Sequence, residues 1–94
     1  MHLGIYEFSG PPDELVPAYD RLMEAIPSGN VNWHLCAVRE DGITIFDTCP
    51  SEAAFQSFSK DPAFHAAIAS AGLPEPRITG LAVHAARAPR TGPE

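Results

Sequence analysis

The stretch Val31-Asn32-Trp33-His34-Leu35-Cys36-Ala37-Val38-Arg39-Glu40-Asp41-Gly42-Ile43-Thr44-Ile45-Phe46-Asp47-Thr48 decides the fold. Two runs rich in β-formers, Val31 to Val38 and Ile43 to Thr48, flank Arg39 to Gly42, whose Asp41-Gly42 pair is a hairpin signal. They predict two antiparallel strands. Upstream, His2 to Phe8 is another β-like run, which Ser9-Gly10-Pro11-Pro12-Asp13 cannot continue. From Glu14 to Ile26 the residues Leu15, Tyr19, Leu22 and Ile26 recur at helical steps, with Val16 and Met23 widening the stripe. This predicts an amphipathic helix beginning near Asp13 or Glu14, so that Pro17 falls in the first turn, where its missing N–H has no partner to lose. Pro27-Ser28-Gly29-Asn30 stops it.

Downstream, Ser51 reads as the N-cap of a helix that buries Ala54, Phe55 and Phe58. Asp61-Pro62 reads as a second cap, opening a segment with Phe64, Ile68 and Ala71 inward and Gly72 as its stop, so the helical region is predicted to break near Lys60. Leu73-Pro74-Glu75-Pro76 is a stiff linker, Arg77 to Arg87 a fourth strand, and Ala88 to Glu94 a flexible tail. The order strand, helix, strand, strand, helix, strand predicts one α+β domain over residues 1–87, a ferredoxin-like βαββαβ unit with a four-stranded antiparallel sheet and its helices on one face. Both faces of the strands are apolar: Leu3 and Ile5 oppose Tyr6 and Phe8, Trp33 and Leu35 oppose Cys36 and Val38, and Ile45 opposes Phe46. Helices cover one face only, which predicts a homodimer closed sheet against sheet.

Composition narrows the function classes. A chain of 94 residues is one domain, and its formal charge of -6, with six Lys and Arg that never cluster, predicts neither a nucleic acid nor an anionic lipid partner. No apolar run approaches the roughly 18 residues of a membrane span, and the first residues lack the features of a signal peptide, so a cytoplasmic protein is expected. Cys36 and Cys49 lack the spacing of a disulfide framework or a paired zinc motif and read as reduced thiols.

Several of these residues together resemble a known family. Trp33-His34, the Asp-Gly turn, Ile45-Phe46-Asp47 leading to Ser51-Glu52-Ala53-Ala54-Phe55 and Phe58, and Val83-His84 are similar to the dimeric α+β barrel superfamily, and within it to small antibiotic biosynthesis monooxygenase-like proteins. The resemblance spans most of Met1 to Arg87. It implies the fold and the dimeric barrel more than one activity, because the superfamily holds cofactor-free oxygenases, polyketide cyclases, lactone isomerases and haem-degrading enzymes. The haem-degrading triad of Asn, Trp and a helical His is not reproduced by Asn32, Trp33 and His34, which are consecutive on a strand and alternate between faces. Asp61-Pro62-Ala63-Phe64-His65 resembles the Pro-Ala-His segment of plant polyketide cyclases with the histidine one residue later, which implies a substrate-binding role for His65.

His34 is the leading candidate for chemistry. With a four-residue connection, Arg39 to Gly42, His34 lies directly opposite Asp47, and a carboxylate beside an imidazole fixes its tautomer and raises its basicity. A two-residue loop keeps both on one face but offsets them, and a three-residue loop separates them. The plainer role for His34 is a half-buried histidine hydrogen-bonded for packing. His84, in phase with the small residues Gly80, Ala82 and Ala86, is a second catalytic candidate or an interface residue, since the resemblance implies that the last strand reaches the partner. His2, at the terminus, is predicted to be solvated.

Tyr6, Trp33, Phe46, Phe55, Phe58 and Phe64 are candidates to line an apolar pocket between sheet and helices, with Tyr6 and Trp33 orienting a substrate by their polar handles. Phe55 and Phe58, at helical spacing, read first as core. His34, Cys36, Asp47 and His84 do not form a metal signature, and there is no phosphate loop, nucleophile elbow or nucleotide fingerprint, so neither metal nor cofactor is expected. These residues predict a cofactor-independent enzyme of monooxygenase or cyclase/isomerase type, in which His34 supported by Asp47 moves a proton on a small hydrophobic or aromatic substrate. The competing expectation is a non-catalytic dimeric small-molecule-binding or stress-associated protein.

Overall fold

The computed structural model describes residues 1–26 and 33–87. In chain order, β1 (His2–Ser9), α1 (Pro12–Ala25), β2 (His34–Arg39), β3 (Gly42–Cys49), α2 (Glu52–Ser59), α3 (Pro62–Ala71) and β4 (Arg77–Ala82) build an antiparallel sheet of order β2-β3-β1-β4, the ferredoxin-like α+β arrangement. The expected helix stop at Pro27 to Asn30, the expected strand start at Val31 and Asn32, and the tail Ala88 to Glu94 lie outside the described residues. No helix among the described residues is long and apolar enough to cross a membrane.

Strand alternation sorts the sheet into two faces. On β1 the even residues His2, Gly4, Tyr6 and Phe8 are buried, and they pair with Cys49, Asp47, Ile45 and Ile43 of β3. This face packs on the helices: Tyr6 and Phe8 meet Leu15, Ala18 and Leu22 of α1, Phe55 of α2, and Phe64 and Ile68 of α3 in one core cluster. Each large apolar side chain so enclosed contributes about 1.5–3 kcal/mol. The opposite face carries Leu3, Ile5 and Phe46, with Leu35 and Leu81 61% and 50% exposed.

The caps form where the sequence places them. Ser51 Oγ accepts from the Ala54 N–H at 3.1 Å, Asp61 Oδ1 from the Ala63 N–H at 2.9 Å, and Gly72 closes α3 in the left-handed region at φ 93°. The break between α2 and α3 falls at Lys60 and Asp61. At α1 the expectation fails: the helix starts at Pro12 behind Pro11, with no side-chain cap. Pro17 therefore lies beyond the first turn, and the Asp13 carbonyl loses an intrahelical donor. β4 also ends early, at Ala82 rather than Arg87, because its partner β1 runs out; Val83 N–H to the Met1 carbonyl is the last pairing bond.

In the hairpin, Val38 pairs with Ile43 and His34 with Asp47, the register of the four-residue connection. Arg39 and Gly42 pair as well, so the turn is the two residues Glu40 and Asp41, and, contrary to expectation, a two-residue loop at this position does not offset His34 from Asp47. No non-glycine residue described has a positive φ, so this is not the I′ turn that Asp-Gly signals. Gly42 is required for another reason: a Cβ there would stand 2.1 Å from the Phe8 carbonyl oxygen.

Candidate active site

One row of the helix-facing sheet surface, His34, Asp47, Gly4 and Gly80, crosses all four strands. At its β2 end the His34 and Asp47 side chains meet, Nδ1 against Oδ1. Ionised Asp47 is an acceptor only, so Nδ1 carries the proton and Nε2 is left as the acceptor in the neutral ring. Tyr19, from α1, donates its hydroxyl to that Nε2 at 2.5 Å, with its ring within 16° of parallel to the imidazole. The three side chains come from β3, β2 and α1; the Asp47 side chain is 12% exposed and that of His34 30%.

Burial pushes the Asp47 carboxyl up, against the hydrogen bond and charge of His34, which pull it down. The Tyr19 hydroxyl is pushed up by burial first and then by Cys36, Asp47 and Asp20. Tyr6 is 1% exposed, and its Oη has no hydrogen-bond partner among the described residues. Burial, then Asp47 and Cys49, holds that phenol well above its usual range. Cys36 and Cys49 share this face, and burial pushes both thiols up, which keeps them protonated.

Other candidates lie elsewhere. Phe46 pairs with Ile5 and Leu35 and faces away from the helices, and alternation with His34 carries Trp33 to the same side. Neither can line a pocket beneath the helices together with Tyr6. His84 is exposed, past the end of β4, at the opposite sheet edge from His34. His65 Nε2–H donates to the Ser59 carbonyl at 2.7 Å, and its Nδ1 lies 3.3 Å from the Glu75 carboxylate, so it joins α3 to the end of α2 and the linker. His2, expected to be solvated, is buried and packs on Phe55 with ring centroids 5.0 Å apart. The space beside Gly80 is filled by that same Phe55 ring: a Cβ on Gly80 would stand 2.4 Å from its Cε2. Tyr19 was legible only as a stripe residue, and its signal was chemical, since a phenol in a stripe of aliphatic residues needs a hydrogen-bond partner.

No family model matches the chain, and no curated protein matches it. Among solved structures, it is similar to a putative antibiotic biosynthesis monooxygenase from Deinococcus radiodurans, with a TM-score of 0.67 and 12% identity over 97% of this chain and 100% of that one. It is also similar to SnoaB, a cofactor-independent oxygenase from Streptomyces nogalater, with a TM-score of 0.63 and 15% identity over 90% and 94%. The fold is that of antibiotic biosynthesis monooxygenase-like proteins. At such identities the likeness concerns the backbone, and the chemistry has to be read from this chain's own residues.

Within this monooxygenase-like fold, an open groove of about 320 Å³ runs between α2 and β4, lined by Phe55, Gln56, Ser59, Lys60, Ile78 and Gly80. It does not reach His34. Among the described residues no three His, Cys, Asp or Glu side chains converge as metal ligands would. What the His34 end of the row can do is hold and transfer a proton: a buried carboxylate orients an imidazole, and the imidazole accepts from a phenol.

Proposed function

We propose that the chain is a cofactor-independent enzyme, of monooxygenase or cyclase/isomerase type, that moves a proton through His34 on a small hydrophobic or aromatic substrate. The observation that carries this reading is His34 oriented by Asp47 on the helix side of the sheet. Proton removal beside a carbonyl is the first step of enolate oxygenation, cyclisation and isomerisation alike, so one base serves each outcome. The likeness of fold to SnoaB, itself a cofactor-independent oxygenase, supports the same class.

The apolar outer sheet face, with Leu3, Ile5, Leu35, Phe46 and Leu81, supports a homodimer closed on that face, with Trp33, Phe46 and the Val83 to Arg87 segment at the interface. Native mass spectrometry of the freshly purified protein tests both parts. A dimer carrying a small organic molecule is expected, and that molecule then becomes the substrate candidate. His34→Ala should retain binding and lose turnover of it by about 10²–10⁴-fold. A clean monomer sinks the dimer, unchanged turnover in His34→Ala sinks the catalytic role of His34, and a wild-type protein that binds the molecule without turning it over is a binding protein.

A further inference from the structure

We propose that Tyr19 is the group that meets the substrate, and that Tyr19, His34 and Asp47 act in line as a proton relay for neutral, activated carbon acids. The proposal rests on the proton-transfer reading above and changes its outermost member.

The geometry leaves His34 without a free basic nitrogen. Nδ1–H is engaged by Asp47, and the Nε2 lone pair accepts the Tyr19 hydroxyl at 2.5 Å. A substrate proton therefore has the Tyr19 oxygen as its receiving atom. In the step, the substrate C–H bond breaks and its proton bonds to Tyr19 Oη, while the phenolic proton passes to His34 Nε2. The imidazolium so formed faces the Asp47 carboxylate, which offsets its charge, and the electron pair of the C–H bond stays on the substrate as an enolate or carbanion. Return of both protons restores the resting state.

Position and charge select the substrate class. β2 is an edge strand and the Tyr19–His34 hydrogen bond lies at the exposed end of the row, so a ligand can reach the phenol oxygen from solvent. The phenol stays neutral and the proton comes to rest on the His34 imidazole, so the carbon acid has to be activated enough for an imidazole to deprotonate it. Asp20 and Asp47, both close enough to raise the Tyr19 phenol, disfavour an anionic ligand.

The test uses 5-nitrobenzisoxazole, a neutral aromatic carbon acid. Loss of its C–H proton breaks the ring N–O bond and releases a coloured cyanonitrophenolate. Wild type is expected to exceed both Tyr19→Phe and His34→Ala by about 10²-fold, with the double variant no slower than either single one, as for residues that act as a unit. Tyr19→Phe as fast as wild type or faster, with His34→Ala slow, overturns the relay and leaves His34 as a direct base, because the substitution only uncovers Nε2. Equal rates in all of them overturn the relay and the proton-transfer reading together. Nitrogen NMR of the His34 ring in the wild-type protein decides the matter without a variant: the neutral Nδ1–H tautomer is expected, and the Nε2–H tautomer overturns the relay.

Discussion

The two ends of one row of the sheet, four residues that share a face and a register, are built on opposite principles. At the β1–β4 end, Gly4 and Gly80 pair side by side and the Phe55 ring lies on the bare backbone they expose. At the β2–β3 end, His34 and Asp47 pair side by side and raise polar groups toward α1. Removing side chains lets an aromatic ring cover the backbone at the first end, beside the groove between α2 and β4, and adding ionisable ones puts groups capable of proton transfer at the second. The same fold thus separates a region that supplies stability from a region that can supply reactivity, one strand apart.

The largest effect that tests this contrast is expected at the ring-covered end. Phe55→Ala should cost about 3–5 kcal/mol in urea unfolding, as a cavity opens over two glycines that cannot fill it. Gly80→Ala should cost about 1–3 kcal/mol by overpacking, because its Cβ would stand 2.4 Å from Phe55 Cε2 and 2.8 Å from His2 Nε2. In the double variant the methyl no longer meets the Phe55 ring and only the His2 contact remains, so the two costs should fall short of additivity. Simple addition would mean that Phe55 does not rest on Gly80.

A smaller effect, of a different kind, is expected at the polar end. The folded state raises the Asp47 carboxyl, so it binds a proton more readily than the unfolded chain does. Wild-type stability should therefore fall as pH rises from the ordinary carboxylate range through the raised one. Asp47→Asn still offers an oxygen to His34 Nδ1–H but has no such titration. Its stability relative to wild type should thus climb across that window and stay level above it, when midpoints of urea unfolding are compared. An opposite slope would show that His34 lowers the Asp47 carboxyl by more than burial raises it.

The smallest effect separates the thiols from the relay. Burial pushes Cys36 and Cys49 up, so both should react with iodoacetamide at neutral pH more slowly than a free thiol does, as followed by mass spectrometry. Fast labelling of Cys36 would make it a nucleophile beside Tyr19 and remove the distinction between a proton-transfer site and a thiol site.

Much of this was legible locally. The caps at Ser51 and Asp61 and the stop at Gly72 are written in single residues whose side chains or backbone freedom act within one helical turn. Strand alternation, applied strictly, already sets Phe46 apart from Ile45 and Trp33 apart from His34, and it is the grouping of aromatics by type that misplaces them in one pocket. Pro12 misleads for a related reason: proline is as good at the start of a helix as in the turn before it, so the first turn of α1 could be drawn either way.

By itself the sequence determined the type and order of the elements, and with them the α+β class, because hydrophobic period, caps and breakers act over a few neighbouring residues. Only the tertiary structure decided which side chains meet. The register that sets His34 against Asp47 depends on the position of the turn, and moving the turn by one residue moves the partner by two. The end of β4 depends on where β1 begins, and Phe55 covers Gly80 because an aromatic ring on α2 finds backbone with no side chain above it. Tyr19 reaches His34 because α1 packs over the sheet at one particular rotation. No periodicity encodes a contact between residues fifteen positions apart on different elements; close packing of the whole domain creates it.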